Sequence, residues 1–73
     1  MNVKGADFLS GITTEDLRST LPGFQFRRAV MVAHWRAPVS VVAKDEGVSV
    51  EKVRQDLVRA AGRMEREIRR VNL

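Results

Sequence analysis

The chain has no cysteine and no tyrosine, and only one histidine, one tryptophan, three phenylalanines and two prolines in 73 residues. Without cysteine there is no disulfide framework and no thiolate nucleophile. The single histidine, His34, leaves no metal site built from the usual nitrogen and sulfur ligands. Ser10, Ser19, Ser40 and Ser49 sit in no G-x-S-x-G context, and no phosphate-binding glycine loop occurs. The chain therefore reads as a non-enzyme that needs no cofactor. The longest unbroken apolar run, residues 29–33, is too short to span a membrane, and the amino end carries no signal-peptide pattern. A soluble, cytoplasmic protein is expected.

What is present is an ordinary globular balance, 44% hydrophobic and 30% charged, in a length that supports one small core. The net charge is +4, and ten of the thirteen cations are arginine. The charge is unevenly placed. Residues 1–26 carry two cations against three acids, and residues 50–73 carry seven cations against four acids. A basic carboxyl half suits either a polyanion or an acidic protein surface, and equally a solvated arginine-rich helix.

Glycine and proline cut the chain at Gly5, Gly11, Pro22-Gly23, Pro38 and Gly47. The stretch before Gly11 fits a short helix or an irregular arm. Thr13-Thr14-Glu15-Asp16 reads as a helix start, because a threonine hydroxyl caps free N–H groups and carboxylates suit the positive end of the helix dipole. Pro22-Gly23 ends that helix. Phe26, Ala29, Val30 and Ala33 predict a second helix over about Gln25 to Arg36. Val39-Ser40-Val41 alternates like a strand, but Pro38 followed by Val39, Val42 and Ala43 reads better as a helix. From Ser49 a further helix is expected, with Val50, Val53, Leu57, Ala60, Met64, Ile68 and Val71 as one apolar stripe. Glu65–Arg69 and Arg63–Glu67 pairs would support its outer face, and Gly62 would mark a bend.

The expectation is an all-α single domain of three to five helices. Residues 1–24 form an amino-terminal arm and short helix, and residues 25–73 a helix-turn-helix region with a long carboxyl-terminal helix. The turn is Gly47-Val48-Ser49. Glu51, Lys52, Arg54, Gln55 and Arg59 would then face outward as nucleic-acid contacts, since arginine and glutamine pair with base edges and lysine holds phosphates.

These residues carry a resemblance. From about Arg27 to Arg70 the chain is similar to region 4 of bacterial sigma-70-type factors. The stretch VVAKDEGVSVEKVRQDLVRAAGRMEREIRR follows the pattern of that family, with Glu51-Lys52-Val53-Arg54-Gln55 at its centre. The resemblance implies a domain that reads promoter DNA through Glu51, Arg54 and Gln55 and docks on the RNA polymerase flap. The family has a basic residue where Val50 stands, and apolar residues where Glu46 and Asp56 stand. A buried unpaired carboxylate is costly, so a rotated or opened helix pair is expected here. Taken whole, the chain also resembles small transcription regulators of lytic Xanthomonas phages. That implies action in the host bacterial cytoplasm. It also implies binding of host polymerase at the β′ amino terminus and β flap, inhibition of sigma-dependent initiation, and antitermination. A chain of this length has no room for the domain that melts a promoter, which favours binding to polymerase over acting as a sigma factor.

For such a partner the sequence offers Phe8, Leu9, Arg27, Arg28, Trp35 and Arg36, because aromatic and arginine side chains dominate interfaces. Phe24, Phe26 and Trp35 are expected mainly in the core, which a small domain needs to fill. His34 is expected to be partly exposed, without a carboxylate partner. The main alternative is a sequence-specific DNA-binding repressor or activator. A module whose final helix pairs with another copy is a third reading, with a monomer favoured over a dimer.

Overall fold

The computed structural model describes residues 5–72; residues 1–4, where the expected arm begins, and residue 73 lie outside it. Among the described residues the chain is all-α, with five helices and no strand. They are α1 (Ala6–Ser10), α2 (Thr14–Thr20), α3 (Gly23–Ala29), α4 (Val39–Glu46) and α5 (Val50–Val71). The last turn before the Trp35 corner, Val30–His34, continues α3 as a π-helix.

The starts and stops follow local chemistry. The Thr13 hydroxyl accepts the Asp16 N–H at 3.1 Å and caps α2. Pro22 precedes α3 and Pro38 precedes α4, each without a side-chain cap. Gly47 ends α4 at φ 69°, a left-handed conformation that suits glycine, and the Val48 N–H closes the helix on the Ala43 carbonyl at 3.0 Å. The Ser49 hydroxyl then accepts the Lys52 N–H at 3.1 Å and opens α5. The expected helix-turn-helix is therefore formed by α4 and α5.

Helix α5 is the spine. It packs against α3 and α4, and also against α1 and α2. Its stripe buries Val53, Leu57, Ala60 and Met64 against Leu9, Leu17, Leu21, Ala29, Val30 and Val42. The stripe outlasts the core: Ile68 and Val71 are exposed, beside a groove shared with Ile12 and the face of α2. The helix continues through Gly62 without a break. Of the two expected surface pairs, Glu65–Arg69 forms at 3.5 Å, whereas Glu67 takes Arg70 at 2.6 Å instead of Arg63. At the amino end, Gly5 (φ 90°) lies against α5. A Cβ there would sit 3.0 Å from Ala61 Cβ and 3.3 Å from the Leu57 carbonyl oxygen, so only glycine allows this approach.

Two expectations about the middle of the chain are corrected, those for Trp35 and Phe24. Trp35 is 70% exposed, not core, and Phe24 is also exposed, while Phe26 packs partly buried against the core. For Trp35 the cause is the π turn. In a continued α-helix Trp35 would lie over Met31 and buried Val32. Instead the Trp35 N–H bonds to the Val30 carbonyl at 2.9 Å, the wider turn displaces the next residue, and the indole turns outward. His34 is half-buried, with Nε2 2.8 Å from the Ile12 carbonyl, which ties the π turn to the α1–α2 loop.

Candidate functional site

The third correction concerns the two carboxylates in the helix pair. Asp56 is 1% exposed, and Arg28 reaches it from α3 while itself only 7% exposed. The Arg28 guanidinium donates through Nη1 to Asp56 and through Nε to Glu46 at 3.2 Å. Arg27 joins Glu46 at 3.3 Å, and Lys52 Nζ stands 3.6 Å from Asp56 Oδ1. One cation on α3 thus bridges acids on α4 and α5, with Arg27 and Lys52 completing the charge balance. The helix pair is neither opened nor unpaired, because its acids have partners that an apolar pair would not need. The Arg28 guanidinium also lies 5.6 Å from the Phe24 ring centroid.

This network decides which sequence candidates are available to a partner. Arg28 is committed inside the fold, and Leu9 is fully buried, so neither is a contact surface. Both are withdrawn from the proposed polymerase-contact set. Phe8, Arg27, Trp35 and Arg36 remain exposed. Lys52 is half-buried and leans toward Asp56, so it serves the network as much as any outside phosphate. Glu51, Arg54, Gln55 and Arg59 are exposed and share one face of α5 by their spacing of three and four residues.

Near the start of this face is a cleft of about 580 Å³. Its walls are α1 (Ala6, Asp7, Ser10), the end of the π turn, the first turn of α4 and the first turns of α5. Arg36 and Arg54 both line it. Arg36 stands at φ 57°, the one non-glycine residue with positive φ among those described. None of the ion pairs among the described residues uses Arg36, Arg54 or Arg59. Asp7 is the single acid at the cleft. Two of the contributors were legible: Arg54 as a helix-face residue and Arg36 as a surface cation. That α1 would close the far side was not, because nothing in a five-residue helix announces its long-range neighbour.

At the other end of α5, Arg70 donates to Glu67 and holds its carboxyl below the ordinary value, while Glu67 in turn raises Arg70. Arg70 is exposed and Glu67 half-buried. No three His, Cys, Asp or Glu side chains among the described residues converge to hold a metal ion, and no helix is long and apolar enough to cross a membrane. No family model, curated protein or solved structure matches the chain.

Proposed function

We propose that the chain is a transcription regulator that binds bacterial RNA polymerase where sigma region 4 would dock. The supporting observation is the closed helix-turn-helix of α4 and α5, with Glu51, Arg54 and Gln55 outward as the resemblance to region 4 requires. Beside it are side chains that a core would have covered: Phe8 at 42% exposed, and the Trp35–Arg36 corner, with Arg27 on α3. Exposed aromatics among arginines have the composition of a protein interface centre. The partner surfaces are the β′ amino terminus and the β flap. Occupying them shifts sigma off by mass action, which inhibits initiation, and a body held at the exit channel opposes terminator hairpins, which gives antitermination. The host bacterial cytoplasm is the place of action.

The test is retention of purified core polymerase on the immobilised chain. Binding at about micromolar concentration is expected, weakened at least tenfold by Phe8→Ala, a change at an exposed position that leaves the core intact. No retention would refute the reading.

A second reading has its own observation. Glu51, Arg54, Gln55 and Arg59 share an exposed α5 face, which fits a sequence-specific DNA-binding repressor or activator. A sharp gel-shift band at about 150 mM salt, lost on Arg54→Ala, would establish it in place of the first reading.

A further inference from the structure

We infer that the Trp35–Arg36 corner and the adjoining cleft bind an unpaired nucleic-acid strand, with the indole stacked on a base and Arg36 and Arg54 on neighbouring phosphates. This site shares Arg54 with the α5 face suited to duplex DNA but is centred on the Trp35–Arg36 corner, and it does not depend on the polymerase reading.

Three observations converge on it. Trp35 is the only tryptophan, and a domain with four aromatic residues leaves it 70% exposed. Its area is worth far more buried, so its exposure asks for an occupant. Arg36 follows directly, at φ 57°. That region disfavours a side chain and favours glycine, so the fold holds a cation at a strained position where the relaxed choice is no side chain at all. Arg54 reaches the same 580 Å³ cleft from α5, and neither arginine has an acid partner among the described residues. Arg18, Lys44, Arg59, Arg63 and Arg66 also stand outside the ion pairs of the described residues, so what marks Arg36 and Arg54 is that two such cations meet at one cleft. Asp7 reduces the local charge but leaves two cations to one acid.

The chemistry selects the ligand. Two unpaired guanidiniums take anionic oxygens, from phosphate or carboxylate alike. The indole of Trp35, exposed on the residue next to Arg36 though not itself part of the cleft lining, distinguishes the two, because every base has a flat face that stacks on it, whereas an acidic side chain has none. In a duplex those faces are covered by neighbouring pairs, so the strand must be unpaired.

Trp35 also supplies the assay. With no tyrosine and one tryptophan, the emission of the whole chain reports this side chain alone. A mixed-sequence single-stranded RNA oligonucleotide should quench it saturably. Two phosphate contacts predict a slope of log affinity against log salt of about −1.4. The same sequence annealed to its complement should bind this corner at least tenfold more weakly, and polyglutamate and inorganic phosphate at equal charge should not quench. Arg36→Gly is the decisive variant: glycine suits the backbone there, so the fold is kept, while affinity should fall at least fivefold and the salt slope roughly halve. Trp35→Ala, read by anisotropy of a labelled strand, should lose at least tenfold. Absence of quenching by the single strand, equal quenching by duplex or polyglutamate, or unchanged affinity in Arg36→Gly would each overturn the inference. No polymerase is present in these measurements, so their outcome is independent of the retention test.

Discussion

Removing Arg28 separates the cost of a broken buried pair from the worth of the pair itself. In Arg28→Met, a change of similar reach, Asp56 keeps only Lys52, whose Nζ stands 3.6 Å away, and Glu46 keeps only Arg27. A carboxylate 1% exposed then loses the guanidinium that neutralised it. Breaking one side of such a pair costs about 3–5 kcal/mol, and the nearby lysine places this case near 3. At roughly 0.05–0.15 kcal/mol per residue, 73 residues hold about 4–11 kcal/mol in all. The variant therefore loses a large share of its stability, a fall in melting midpoint of roughly 12–24 °C for a domain of this size. Arg28→Met with Asp56→Leu removes both charges and should return to within about 1 kcal/mol of the parent, because apolar residues replace a buried pair at little cost. Urea unfolding followed by far-ultraviolet circular dichroism reads all four corners of the cycle. A single-variant cost below about 1 kcal/mol, or two single costs that simply add in the double, would refute the claim that Arg28 is the element that lets acids sit inside the helix pair.

The remaining predictions concern the backbone, a buried amide and one surface carboxylate. Gly47→Ala forces a side chain into φ 69° with open space around it and should cost about 1 kcal/mol, whereas Gly5→Ala adds a clash with Ala61 and the Leu57 carbonyl and should cost more, both read by thermal melts. Gln25 is 4% exposed with its Oε1 unpartnered, so Gln25→Met should stabilise by about 1 kcal/mol in urea unfolding. Glu67 has a lowered folded pKa, so its small contribution is present above the unfolded carboxylate value and fades as pH falls through the lower folded one. Glu67→Gln should remove that acid-side step from α5 helicity measured across acidic pH.

How far the sequence led can be judged from particular residues. Thr13, Gly47 and Ser49 act within three or four residues of themselves, and their caps and turn were readable because the physics is local. The stripe of α5 was readable for the same reason, up to the point where the body ends and Ile68 and Val71 emerge. Trp35 was expected inside because a small domain needs its aromatics to fill a core, and the π turn over Val30–His34 that turns it outward leaves no periodic signal of its own. Leu9 was misread because α1 is five residues long, too short to show which face it buries. The acids at Glu46 and Asp56 were seen as a departure from an apolar pattern. Their answer, Arg28, lies 28 residues from Asp56, and no spacing rule connects α3 to α5.

The central claim is that this chain takes the place of sigma on polymerase, and displacement measures it most directly. With labelled sigma bound to core polymerase, addition of the chain should release sigma saturably and return it to its free anisotropy, with Phe8→Ala shifting the curve to higher concentration. If the chain binds core polymerase while sigma stays bound, or if sigma is released only together with promoter DNA, the account is contradicted.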